Sequence, residues 1–153
     1  MIIKQGCHSY AHIPFIGWDV KRMTRNVMFT KSCIYDIGQD QSDVNKLFGI
    51  GYYPHHHNRS IRFGWRWNLL DKKIDILAYW YFNGVREFLP LTQVEIGKTY
   101  RYDIIVFPKM HRMMVKGTVK NVILEPRSLS YSLHPYFGGN QKAPHDIEII
   151  IKK

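Results

Sequence analysis

At 153 residues, with 45% apolar and 14% aromatic side chains, the chain can bury a substantial core without disulfides and lies far from the composition of disordered proteins. Its 22 Lys and Arg against 12 Asp and Glu give a formal charge of +10, a surface that attracts polyanions under salt screening, although the even spread of those residues also suits a plain solvated surface. No run approaches the ~20 apolar residues needed to cross a bilayer, and the opening MIIKQGCHSYAHIPF lacks an apolar leader, so neither a membrane span nor a signal peptide is expected.

From Met1 to about Arg25, Gly6, Pro14 and Gly17 break any period. Ile2 and Ile3 read as an edge strand, and Phe15 and Trp18 as covers over one end of the core. Cys7 and Cys33, only two in number, are expected to be reduced and buried. The β-branched and aromatic run NVMFTKSCIYDI (26–37) predicts a strand. GQDQSDVNK (38–46) predicts a loop. Its Asp40, Asp43 and Asn45 have the composition of a calcium loop without the required glycine and glutamate, so Asx-type turns account for them and no metal site is assigned. LFGIGYY (47–53) predicts a short strand whose glycines mark a bulge or a close backbone approach. In PHHHN, extended backbone would let only His55 and His57 share an ion, and a surface loop is the expectation.

The stretch 59–89 predicts three consecutive antiparallel strands. Ile61, Phe63, Trp65 and Trp67 alternate with Arg62, Gly64, Arg66 and Asn68, and Ile74, Ile76, Ala78, Trp80 and Phe82 alternate with Asp75, Leu77, Tyr79 and Tyr81. Asn83-Gly84 supplies the strongest short hairpin signal. With Trp67 opposite Ile74, the register sets Arg66 against Asp75 and Arg62 against Tyr79; the second hairpin sets Tyr81 against Arg86 and Tyr79 against Phe88. Glu87 then falls opposite Trp80 on the apolar face, which predicts a bulge or an early end to the third strand.

Beyond it, Pro90 interrupts, and Gln93 to Ile96 read as a separate short strand. KTYRYDIIVF (98–107), Met110 to Val115 and Thr118 to Leu124 form a meander turning at Lys116-Gly117, and Ile147, Ile149 and Ile151 mark a half-buried last strand. With about nine to eleven short strands and no amphipathic helix, the chain reads as one all-β domain over 1–153, an antiparallel two-sheet β-sandwich.

The tail YFGGNQKAPHDIEIIIKK (136–153) resembles the end of laminin-G and concanavalin-like jelly rolls, in which an aromatic-glycine-glycine turn leads through a loop into a last strand of alternating apolar residues. This resemblance covers under a fifth of the chain. It implies a jelly-roll topology and, because such domains often bind glycans and the architecture also hosts polysaccharide-cleaving enzymes, a carbohydrate ligand. YFGGNQ is also similar to the YFKAG-type strand of alginate-lyase-like jelly rolls, but that motif's lysine is absent and there is no Gln-x-His element.

The register places Arg62, Tyr79, Tyr81, Arg86 and Phe88 together on the face away from the tryptophans. Aromatic faces stack on sugar rings and Arg donates a planar fork of hydrogen bonds, so this patch is the candidate ligand site. Stacked bases and phosphates would suit it equally, and a loop, a further strand layer or a subunit would equally cover it. The leading reading is a non-catalytic, lectin-like carbohydrate-binding module taking an acidic or neutral glycan. A structural or assembly protein, such as a virion or fibre component with this face as a homo-oligomer interface, is the first alternative, and a basic nucleic-acid-binding domain is the second. No nucleophile elbow, phosphate loop, CxxC pair or HExxH is present, so no catalytic residue and no cofactor are assigned; the compartment is left open between cytoplasmic and virion-associated.

Overall fold

The computed structural model describes all residues from Met1 to Lys153. Twelve strands follow in order: β1 (Ile2–Ile3), β2 (Ile16–Trp18), β3 (Arg22–Phe29), β4 (Asn45–Tyr52), β5 (Arg59–Asn68), β6 (Lys73–Phe82), β7 (Val85–Val94), β8 (Thr99–Val106), β9 (His111–Val115), β10 (Thr118–Val122), β11 (Leu129–Leu133) and β12 (Ile147–Lys152). They form two six-stranded antiparallel sheets, ordered β1-β12-β3-β8-β9-β10 and β2-β11-β4-β5-β6-β7, packed as a sandwich. No helix is long and apolar enough to cross a membrane.

Alternation fills the space between the sheets. Phe63, Trp65 and Ile76 from the second sheet are buried against Phe29, Tyr102 and Ile104 from the first. Trp65 packs its ring 5.1 Å from Phe29, and Phe63 lies edge-on to Tyr102 at 5.1 Å. Inside this core, His111 is wholly buried between β4 and the segment after β10. Its Nδ1 lies 2.9 Å from the Leu124 carbonyl, which can only accept, so Nδ1 carries the proton and Nε2 accepts from the Tyr52 hydroxyl at 2.6 Å.

The central register is as read from the sequence. Trp67 pairs with Ile74, Arg66 with Asp75, Arg62 with Tyr79, Tyr81 with Arg86 and Tyr79 with Phe88. Asn83 and Gly84 take φ of 50° and 80°, and Lys116 and Gly117 take 49° and 76°, the paired positive values that match hairpin twist. Glu87 does face Trp80, yet β7 does not end there. Trp80 lies towards the end of its strand and is only half-buried, and Glu87 is exposed, so the carboxylate meets water rather than core. Pro90 does not end the strand either: β7 runs through it because this is an edge strand, where a missing N–H costs no ladder bond, and the expected bulge lies beside it, with Ile76 facing Thr92 and Leu77 facing Pro90 so that Leu91 on β7 is the extra residue. Gln93 therefore belongs to β7 rather than to a strand of its own.

Four other expectations change. The strand expected over 26–37 occupies Arg22–Phe29 and gives way to a 3₁₀ turn at Lys31–Cys33, where Thr30 accepts a hydrogen bond from the Ser32 amide. Within the loop expected over 38–46, Gly38–Ser42 form another 3₁₀ turn and β4 begins at Asn45. Cys33 is buried but Cys7 is exposed, and both are free thiols. Phe15 and Trp18 cover no core: they are 76% and 71% exposed, because Trp18 lies on the outer side of β2, itself an edge strand.

Candidate functional site

The outer face of the second sheet carries two parallel rows of side chains. One runs Leu133, Gly49, Arg62, Tyr79 and Phe88 across β11, β4, β5, β6 and β7; the next runs Tyr131, Gly51, Ser60, Tyr81 and Arg86. The two glycines on β4 open a trough between the larger residues on either side. A Cβ at Gly49 would lie 2.2 Å from both Arg62 Cβ and the Ile61 carbonyl, whereas one at Gly51 would meet side chains alone, the Tyr131 ring at 2.8 Å and Leu133 Cδ2 at 3.1 Å. We expect Gly49→Ala to force β4 and β5 apart and lower unfolding free energy by about 1–3 kcal/mol in urea titration, with Gly51→Ala milder.

Three loops wall the trough into a cleft of about 590 Å³: the segment bearing Ser9, His12 and Pro14, the turn bearing His56 and His57, and the segment from His134 to Asn140. Hydrogen bonds between distant parts of the chain set these walls. Lys46 and Tyr136 exchange backbone bonds at 2.8 and 2.9 Å, and the Phe137 amide donates to the His8 carbonyl at 2.6 Å.

No Asp or Glu lines this cleft, although Arg62, Arg86 and Lys46 all do. Arg62 is only 7% exposed. Its Nη2 donates to the His134 carbonyl at 2.5 Å and to the Leu47 carbonyl at 3.4 Å, while its buried Nε has no partner; the Ser60 hydroxyl beside it is also buried and unpaired. Burial lowers the guanidinium pKa to about 10, opposed by Tyr79 and Tyr81, which leaves it a cation at neutral pH. Two positions along the same face of β5, Arg66 differs: its Nε donates to Asp75 at 3.0 Å, and Asp75 also accepts from Gln93 and Asn68. A buried guanidinium normally requires such a counter-charge. Arg62 has none.

Lys46 lies above the Tyr79 and Tyr136 rings, 5.6 and 5.5 Å from their centroids, and donates to the Gly138 carbonyl at 2.7 Å. Burial, then the charges of Arg62 and Arg86, lowers its ammonium pKa to about 8 against the opposing pull of Asp43. Two histidines of the cleft, His56 and His134, stay neutral at pH 7. Burial, with His57, His55 and Arg62 adding to it, lowers His56 to about 4; burial, with His12, Arg62 and Arg25, lowers His134 to about 4. His134 uses both ring nitrogens, Nδ1 with the Tyr10 hydroxyl at 3.2 Å and Nε2 with the Ser132 hydroxyl at 3.1 Å. Burial raises the Tyr79 phenol well above its ordinary range, with its hydrogen bond to Tyr81 acting in the same direction.

Of the five residues singled out from the sequence, Arg62, Tyr79, Tyr81 and Arg86 line the cleft. Phe88 does not; it is 44% exposed and stacks beside Tyr79 at 6.4 Å, with the Arg86 guanidinium 5.9 Å from its ring. The row is partly covered, as the alternative reading foresaw. Tyr79 is 3% exposed, but what covers it leaves a trough rather than a sealed layer. Sequence reasoning missed Lys46, placed at the end of a loop, and Tyr131, which arrives on the unforeseen β11. The three adjacent histidines form a turn rather than extended chain, and their rings pack within 4.3 to 4.8 Å of one another.

By sequence, the chain matches no protein-family profile and no curated protein. By fold it is similar to several solved structures. The alginate lyase from Klebsiella pneumoniae superposes with a TM-score of 0.59 at 14% identity over 86% of this chain and 59% of the other. Alginate lyase AlyC3 gives 0.58 at 12% over 90% and 64%, and a functionally unknown protein from Saccharomyces cerevisiae gives 0.55 at 8% over 92% and 72%. At such identities the likeness establishes the jelly-roll β-sandwich alone. The chain spans 53% of the length of the alginate lyase from Alteromonas sp. 272, which it also matches.

Proposed function

We propose that this cleft binds an anionic glycan, as a carbohydrate-recognition surface that does not cleave its ligand. The observation that carries the reading is Arg62: a buried cation with no carboxylate partner and a free Nε, at the floor of a cleft that contains no acid. A sugar carboxylate or sulfate would supply the missing counter-charge, with Lys46 and Arg86 as further cations and the tyrosine rings as stacking surfaces for pyranose faces. The fold neighbours that are alginate lyases support a uronate polymer as the first ligand to try. Binding without cleavage suits His134, whose two ring nitrogens are both occupied.

Affinity electrophoresis through alginate, polygalacturonate, heparin and a neutral glucan tests this. The chain should be retarded by one or more of the anionic polymers and not by the glucan, and retardation should weaken with salt. It should also weaken as pH rises through about 8, where the Lys46 ammonium loses its proton. Migration unchanged in all four gels would end the proposal, and displacement by single-stranded nucleic acid but by no glycan would move it to that ligand. A second reading, uronate cleavage by β-elimination, is favoured by a neutral imidazole, His56, lining the same cleft as Arg62; it requires unsaturated uronate to accumulate in the same mixtures.

A further inference from the structure

We propose that the glycan site continues out of the cleft along an aromatic strip ending at Trp18, which serves as an outlying platform for further units of the same polymer chain. This rests on the reading of the cleft as a glycan site.

Ring contacts carry the strip as far as Tyr53, and backbone pairing carries it on to Trp18. Within the cleft the Tyr81 ring lies 5.0 Å from His57, His57 lies 4.3 Å from His56, and His56 lies 6.4 Å from Tyr131. Outside it, Tyr53 packs edge-on against Tyr131 at 5.4 Å and is 41% exposed. The Tyr53 amide donates to the Leu129 carbonyl, and the register partner of Leu129 on β2 is Trp18. Tyr131 pairs with Ile16, so Trp18, two residues along, shares the outer face that carries Tyr131 and the cleft.

An indole left 71% exposed beside Ile16, itself 59% exposed, is an apolar surface that a folded chain ordinarily hides. Three features favour a polymer ligand as its cover. Trp18 is in line with the cleft rather than on a separate face. Arg127, donating to the Tyr53 carbonyl at 2.6 Å, puts a cation beside the strip, as an anionic chain requires. The free edge of β2 is only three residues long, too little ladder for a second copy to add a strand.

The test is calorimetric titration of alginate trimer and alginate octamer into the wild-type chain and Trp18→Ala. On this proposal the trimer occupies the cleft alone and the octamer runs on to the strip. Trp18→Ala should weaken octamer binding by about three- to tenfold and leave trimer binding unchanged. Trimer and octamer binding equally well, with the substitution silent on both, would overturn the platform while the cleft reading stands. Failure of the wild type to bind either alginate oligomer would overturn the platform, and the cleft reading would fall with it only if polygalacturonate and heparin also left migration unchanged. Sedimentation velocity separates the remaining case: self-association that Trp18→Ala abolishes, with octamer affinity unaltered, would make the strip a contact between copies and overturn the proposal. Because the indole is exposed, the variant should fold as the wild type does.

Discussion

Arg62→Met should abolish most anion binding while leaving the unfolding midpoint unchanged or higher. Hydrogen bonds to a charged partner contribute about 1.5–3 kcal/mol each, so the affinity loss should be about ten- to a hundredfold. Stability moves the other way because burying a guanidinium without a counter-charge is costly, and methionine fills a similar volume at no such cost. The two carbonyls that lose a donor temper this gain. Arg66→Met is the control on the same strand face. It strips Asp75, whose side chain is 14% exposed, of its cation, so it should lower stability by about 1–3 kcal/mol and leave ligand affinity alone. Opposite responses from two arginines of one strand would identify Arg62 as a residue kept for binding. If Arg62→Met instead destabilised the chain by several kcal/mol, Arg62 would be a clamp on the segment after β11 and the binding argument would lose its support.

What could be read from the chain divides along a physical line. The β5, β6 and β7 register was legible residue by residue, because alternation and the Asn83-Gly84 turn are local signals and a slip of one residue would have turned Trp65 into solvent. That register was enough to bring Arg62, Tyr79, Tyr81 and Arg86 to one face. The cleft itself was not legible. Its far wall depends on β11, whose LSYSL alternates Leu129, Tyr131 and Leu133 with serines over only five residues, a signal too short to place the strand; its position comes from pairing with β4, about eighty residues earlier, and with β2. Its floor depends on Gly49 and Gly51, which the sequence marked as a close approach without saying to what. Trp18 was misplaced for a general reason: a large aromatic is most often inside, and its exposure here follows from lying on the outer side of an edge strand.

Between pH 6.5 and 4 the fold should lose roughly 3 kcal/mol through His111 alone. Burial, with a smaller push from Arg59, lowers this imidazole from 6.5 to about 4, against the opposing hydrogen bond to the Leu124 carbonyl. Above 6.5 neither the folded nor the unfolded chain holds the proton, and stability is at its full value. Below 6.5 the unfolded chain takes up a proton that the folded one refuses, so unfolding becomes easier with each step in acid until the folded imidazole also titrates near 4. Asp103, whose burial is outweighed by hydrogen bonds from Thr24, Arg22 and Arg101, acts at lower pH, because its depressed pKa costs stability only as pH falls through and below 3.8. Urea unfolding at pH 7 and at about pH 4.5 should therefore show most of the histidine effect. His111→Gln, which keeps a donor for Leu124 and an acceptor for Tyr52 but cannot titrate, should flatten the slope at the expense of some stability at pH 7. His111→Leu leaves the buried Tyr52 hydroxyl without its acceptor and should cost about 1–3 kcal/mol at every pH. His56 and His134 are lowered in the same direction, but they face the cleft. A bound anion favours their protonated forms, so saturating ligand should remove their share of the acid sensitivity and leave the share of His111 intact. If ligand instead protected the whole slope, the titration would belong to the cleft, and the buried Tyr52 and His111 couple would not be what makes the sandwich acid-sensitive.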